Sequence, residues 1–299
     1  MNVENIMSVF QNGENPHRDI LAAFLRMPVT HTDDVFAPFV QLPGAIDRKG
    51  AGAFRRFVYV PGSRKDRVLL VAHADTVWDR RYGIELEECK ETQYGMGIYY
   101  SVSREHGIGA DDRAGCAILW ALRDSGHSLL ILDGEEHGKI GARYLRDHEK
   151  KLFREINRTH RMMIALDAPG NQTYSVNQVD YTTAFRQYIE EHLEVGRSHE
   201  PIGSDLQVLC QRICGVNLGI GYVNQHYPQE VLFENGWSNL CLKLENFLKQ
   251  EHPAFPIDRK KRLKRKLKKH MTLPGRIWRK LKDTGFKGAA AAVARRIKK

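Results

Sequence analysis

Apolar and polar positions along this chain fall into two rhythms, one of helical and one of strand period. Residues 18–27 (RDILAAFLRM) carry apolar side chains at helical spacing, and Pro28 closes the segment. Two strand-like runs follow at 57–60 and 67–72, joined by the turn Pro61-Gly62-Ser63. The polar stretch 79–106 reads as a hairpin insertion. Beyond it the pattern predicts a helix over 113–124, a strand over 128–132, a helix over 139–148 and a strand over 162–166. Helices are then expected near 181–192 and 205–212, a strand at 216–220 and a helix around 237–249. Strands alternating with helices predict an α/β domain built on a doubly wound, mainly parallel sheet flanked by helices.

Charge divides the chain in a way that apolar periodicity does not. Residues 259–299 hold 18 of the 46 Lys and Arg and one acid, Asp283, a local balance of +17. The remainder carries 28 bases against 35 acids, or −7, so an acidic body of residues 1–255 precedes a basic tail of residues 256–299. The tail reads as helical or disordered. Leu263 and Leu267 are four apart, and Phe286, Ala290, Val293 and Ile297 share a second helical face. A basic amphipathic segment favours an anionic membrane surface, at about 1 kcal/mol per Lys or Arg. Nucleic acid is the lesser expectation, because no base-reading motif accompanies the charge. No run of eighteen apolar residues suggests a spanning helix, and the first twenty residues lack the pattern of a secretory signal. The five cysteines (Cys89, Cys116, Cys210, Cys214, Cys241) are odd in number and lack zinc-finger spacing. They read as reduced thiols in a cytoplasmic protein, with the tail able to sit peripherally on the inner membrane face.

Five short segments carry the chemistry: His73-Ala74-Asp75, Gly109-Ala110-Asp111-Asp112, Asp133-Gly134-Glu135-Glu136, Leu166-Asp167 and Asn224-Gln225-His226. Four of them follow a predicted strand directly or within a few residues. Sites in open α/β sheets form at the carboxyl ends of strands, so separate loops can converge on one crevice. Two imidazoles and several carboxylates form a donor set suited to zinc, and also to cobalt or manganese. His73 and Asp75 alternate along a strand end, so Asp75 can accept the second ring N–H of His73 and fix its tautomer. Glu135 and Glu136 are adjacent, so their side chains diverge. One can ligate a metal while the other takes a proton from water.

These segments resemble the signature of the di-zinc exopeptidases grouped as metallopeptidase families twenty and twenty-eight, zinc aminopeptidase-like enzymes. The matching stretches read VLLVAHADTVWD, GIGADDRAGCAILWAL, LDGEEHGKIGARYL, MIALDAPG and GSDLQVLCQRICGVNLGIGYVNQHYPQE, in the family order and spanning roughly residues 55–250. The resemblance implies two divalent ions, with Asp111 bridging them. It implies His73 and Asp167 at one ion, Glu136 and His226 at the other, Glu135 as general base and Asp75 as the partner of His73. A cis peptide at Asp111–Asp112 is also implied. Only 58 residues separate Asp167 from His226, too few for the lid domain of family twenty, and 37 separate His73 from Asp111. A lidless, single-domain form is therefore expected.

The first expectation is thus an exopeptidase hydrolysing a terminal peptide or amide bond of a small substrate. An amidase or deacylase acting on a non-peptide N-acyl group and a glutaminyl-cyclase-like transferase are the alternatives. A membrane-tethered binding protein with a vestigial site is the non-enzyme alternative. Trp78 and Tyr222 are candidate pocket walls, and His106 and His199 lie in loops that can edge the cleft. Gly203-Ser204-Asp205 reads as a helix N-cap or a stretch beside the cleft.

Overall fold

The computed structural model describes residues 16–79, 97–103, 105–177, 179–198, 200 and 202–258, together with the backbone of 92–95. The chain divides after Ile257 into two units. The fold and site that follow belong to the first. The basic tail from 259 onward, Cys89 and His199 lie outside the described residues.

Helices α1 (Pro16–Leu25) and α2 (Asp33–Val40) lead into strands β1 (Ile46–Lys49), β2 (Arg56–Val60) and β3 (Leu69–His73). The hairpin β4 (Thr92–Gly95) and β5 (Ile98–Ser101) precedes α3 (Ala110–Ala121) and β6 (Ser128–Leu132). Then come α4 (Ile140–His148), α5 (Lys150–Thr159), β7 (Met163–Ala168), β8 (Asn171–Ser175), α6 (Thr183–Leu193) and β9 (Gly196–Arg197). The body closes with α7 (Leu206–Leu209), β10 (Gly215–Ile220), β11 (Tyr222–Val223), β12 (Val231–Phe233) and α8 (Glu234–Leu248).

Eight strands form one mixed sheet in the order β1-β2-β6-β3-β7-β10-β8-β9. Its central four, β6, β3, β7 and β10, run parallel, and β2 and β8 flank them antiparallel. Strand period two explains the two cores. Val58, Leu70, Ala72, Ile131, Ile164 and Val216 face one side, under α1, α2, α3 and α8. Phe57, Leu69, Val71, Leu130, Met163 and Ala165 face the other, under α4, α5 and α7. Helices on both faces of a mainly parallel centre make an α/β layered domain. No described helix is long and apolar enough to cross a membrane.

Four local expectations change. The runs at 57–60 and 67–72 are not hairpin partners, because β6 inserts between β2 and β3. The helix expected over 205–212 shrinks to the single turn of α7, and Cys210 at its C-terminal end packs as a buried thiol. The hairpin at 92–101 joins β12 and β11 in a second four-stranded sheet, through pairs such as Leu232 with Tyr99. Trp78 and Tyr222 are 3% and 1% exposed and belong to the core rather than to an open wall.

Two buried histidines register acidity. His160 donates from Nδ1 to the Ile156 carbonyl at 2.9 Å, and its Nε2 has no partner among the described residues. His252 accepts the Tyr188 hydroxyl at 3.0 Å, and its Nε2 is likewise unpartnered. Burial pushes both down to about 4. The unfolded chain takes up these protons first, at its ordinary pKa near 6.5, so their stabilisation is complete above about 6.5 and drains as pH falls toward 4. Chemical denaturation in excess chelator should therefore show wild type losing stability relative to His160→Leu across this window. The loss should approach ~3 kcal/mol near pH 4. A difference that stays level from pH 7 to 4.5 would contradict a neutral buried His160.

Candidate metal centre

Parallel β3, β6 and β7 end on the same edge of the sheet, and each delivers a candidate side chain there. His73 is the last residue of β3, Glu135 and Glu136 follow β6, and Asp167 lies near the end of β7. Asp111 enters at the start of α3, and His226 lies between β11 and β12 in a left-handed conformation, φ 69°. The Asp111–Asp112 peptide is cis.

Asp111 stands at the middle of the cluster. Its Oδ1 lies 3.1 Å from His73 Nε2, and its Oδ2 lies 3.1 Å from His226 Nε2. His73 Nε2 is also 3.4 Å from Asp167 Oδ1, and His226 Nε2 is 2.7 Å from Glu136 Oε1. Two triads, His73–Asp111–Glu136 and His73–Asp112–Asp167, have ligand atoms within 4.8 Å of one another. Asp112 is the weaker donor of these, because both its oxygens are engaged. Oδ2 accepts the His73 backbone N–H and Oδ1 that of Gly115, both at 3.0 Å. Asp112 thus ties the end of β3 to the first turn of α3.

The electrostatics follow from carboxylates crowded out of water. Burial raises Asp167 and Asp112 well above the usual carboxylate range, with His73 working in the opposite direction. Burial raises Glu136 too, against its hydrogen bond from His226. Asp111 goes the other way: the hydrogen bonds from His226 and His73 outweigh burial and keep it low. Hydrogen bonds to Asp111 and Glu136 push His226 up to about 10. Burial disfavours the His73 imidazolium, but Asp167 and Asp111 outweigh it and hold the ring well above its ordinary value. These carboxylates therefore favour positive charge among them, on the two imidazoles themselves or on a cation. Imidazole nitrogen plus carboxylate oxygen is the donor chemistry that a borderline divalent cation accepts.

Asp75 does more than orient a ring. Its Oδ1 lies 3.3 Å from His73 Nδ1, and the Asp75 backbone carbonyl is 3.0 Å from the same nitrogen. Its two oxygens also accept the N–H groups of Glu135 and Glu136, each at 3.1 Å. One buried carboxylate so joins the β3 loop to the β6 loop. Glu135 is 9% exposed, and its Oε1 lies 2.7 Å from Lys139 Nζ. Burial works against the Lys139 charge, but Glu135 outweighs it and raises the amine above its ordinary value.

No family model matches the chain, and no curated protein matches it. Solved structures do. Aminopeptidase PepT from Bacillus cereus ATCC 10987 superposes with a TM-score of 0.56 at 13% identity, covering 83% of this chain and 98% of that one. A tripeptidase from Staphylococcus aureus subsp. aureus Mu50 gives 0.54 at 13% identity, over 83% and 98%. The Pyrococcus horikoshii TET1 peptidase, which can assemble into a tetrahedron or a large octahedral shell, gives 0.55 at 14% identity, over 78% and 99%. The chain has their fold.

Glu230, Arg113 and Asn217 shape the site and escaped the sequence reading, whereas Asp205 and His106 were expected beside the cleft. Glu230, 1% exposed, accepts the N–H of Gly109 at 2.7 Å and of Asp111 at 3.1 Å, so it sets the entry to α3. Arg113, fully buried, donates to the carbonyls of Ala74, Pro28 and His31 and braces the loop after β3. Asp205, 3% exposed, has an Oδ1 without a hydrogen-bond partner among the described residues. His106 is 8% exposed, with its ring 6.2 Å from that of Trp78. Asn217 clasps the backbone of Asp167, donating to its carbonyl at 2.6 Å and accepting its N–H at 2.9 Å. A polar residue inside the apolar run GVNLGI was the available signal for Asn217. Asn217→Ala should leave both Asp167 backbone groups unsatisfied and cost about 2–4 kcal/mol of unfolding free energy. Denaturation of the variant within ~0.5 kcal/mol of wild type would show that the clasp is dispensable.

Proposed function

We propose that this chain is a metal-dependent exopeptidase that hydrolyses the terminal peptide bond of a small substrate. The observation that carries the reading is the arrangement about Asp111, one oxygen toward His73 and the other toward His226. On this reading Asp111 would help to hold two divalent ions, zinc foremost. His73 and Asp167 complete one position, and Glu136 and His226 the other. Such ions supply Lewis acidity to the scissile carbonyl and to the attacking water. Glu135 accepts the proton of that water and returns it to the departing amine. Lys139 holds the Glu135 carboxylate in place through their ion pair, and Asp75 holds the His73 tautomer.

The peptidases named above share the fold, which supports peptide over other acyl substrates. The 58 residues between Asp167 and His226 supply β8, α6, β9, α7, β10 and β11 of the body, which supports a site without a separate lid domain. Cys116, Cys210, Cys214 and Cys241 are buried, in keeping with reduced thiols in a cytoplasmic setting. The basic tail belongs to this proposal as a peripheral contact for an anionic membrane surface, acting apart from the chemistry.

Elemental analysis after reconstitution should return two divalent ions per chain, falling to none in Asp111→Ala. Trace metal in the wild type would sink the ligand assignment. Glu135→Gln should retain both ions and the fold but lose ~10²–10⁴-fold in turnover of the best di- or tripeptide. Near-wild-type turnover in that variant would remove Glu135 from the role of base.

A further inference from the structure

Lys139 occupies an unusual place for a lysine. It caps the N-terminus of α4 in a left-handed conformation, φ 64°, directly after Gly138 at φ 87°. That region favours glycine, and a long side chain seldom adopts it. The Lys139 N–H closes the turn on the Glu135 carbonyl at 2.9 Å, and the side chain folds back over the same turn to place Nζ 2.7 Å from Glu135 Oε1. Its side chain is 17% exposed, so the ammonium is sheltered but not sealed. Among the described residues Glu135 is its one ion-pair partner. An ammonium has three donors, and one contact leaves two for a ligand.

The surroundings make this cation singular. Among the described residues, Lys139 is the one Lys or Arg paired with a carboxylate of the candidate centre. Arg113, the nearby guanidinium, spends its terminal donors on backbone carbonyls. Asp111, Asp167, Glu136 and Asp205 would otherwise repel any anionic part of a substrate. The position of Lys139 relative to the reaction follows from the role of Glu135, so this step rests on the exopeptidase reading. A base that returns its proton to the departing nitrogen lies on the leaving-group side of the scissile bond. An ammonium hydrogen-bonded to that base lies on the same side. In a one-residue leaving group the α-carboxylate is two bonds from the departing nitrogen, within reach of such an ammonium.

We infer that Lys139 reads the free α-carboxylate of a one-residue leaving group, so that the preferred substrates are dipeptides and not longer chains. In a longer peptide an uncharged amide replaces the carboxylate, and the charge-assisted hydrogen bond is lost. Lys139 then serves as a specificity residue in addition to holding Glu135.

The metal-reconstituted full chain separates these roles. Wild type should cleave leucyl-alanine with a kcat/KM about tenfold or more above that for leucyl-alaninamide, a charge-assisted hydrogen bond being worth at least that factor. Lys139→Met should collapse the ratio toward one, chiefly by raising KM for the acid, and Lys139→Arg should restore much of it. An equal loss on acid and amide in Lys139→Met, with the ratio unchanged, would reduce Lys139 to a support for Glu135. Binding supplies a readout that needs no turnover. An uncleavable reduced-bond isostere of leucyl-alanine should bind wild type about tenfold tighter than its C-terminal amide, and equally with it in Lys139→Met. Equal affinity of the two isosteres for wild type overturns the inference whether or not hydrolysis occurs. Absence of turnover on every peptide, with the isostere preference intact, would instead overturn the exopeptidase reading and leave Lys139 as a carboxylate reader.

Discussion

Negative charge held away from water at one edge of the sheet is the constraint on which this molecule turns. Asp75, Asp111, Asp112 and Asp167 are each less than 10% exposed, and Glu135 joins them. Carboxylates in such a place are costly unless each finds a donor or a cation. The fold answers carboxylate by carboxylate. Asp112 is used up by two backbone N–H groups, Asp75 by two more and by His73, and Asp111 by two imidazoles. The oxygens of Asp111, Asp167 and Glu136 so converge between the two imidazoles. The parts that look structural and the parts that look chemical are thus one arrangement.

The central parallel strands follow from the same requirement. Their carboxyl ends lie together because β6, β3 and β7 run in one direction, which lets residues from distant stretches of sequence meet without long loops. Gly115 shows how closely the layers are drawn. A Cβ there would collide with the Leu166 carbonyl and the Asp112 carboxylate. Glycine at that point lets α3 approach β7, so Asp111 and Asp167 come into range of the same imidazole.

Much of this was legible in the sequence because the central elements are long, periodic and apolar. The strand over 128–132 coincides with β6, and the helices around 139–148 and 237–249 differ from α4 and α8 by a few residues at their ends. The candidate residues themselves stood out as carboxylates and histidines just past strand ends. What escaped was short or set by tertiary contact. β1 and β9 have few residues in which alternation could show, and β8, NQTYS, opens on a polar run that reads as a loop. Helix α5, KKLFREINRT, buries only Phe153, Ile156 and Asn157, and its run of charge hides a narrow apolar stripe. Glu230 and Asn217 act on backbone groups, so residue type alone gives no hint of these targets. The neighbour order β2-β6-β3 was invisible because local sequence does not record which strand intervenes between two others.

The double acceptance by Asp75 has a consequence for how experiments at this position are interpreted. Because the same carboxylate meets His73 and both peptide N–H groups of the Glu135–Glu136 turn, it acts as a mechanical hinge pin between two loops from adjacent strands. Loss of its side chain would loosen the imidazole on one strand and the glutamate pair on the next together. A kinetic defect in such a variant would therefore be a composite signal, and its size would say little about proton affinity at the ring. Asparagine would divide the signal, since its amide offers one acceptor oxygen where the carboxylate offers two.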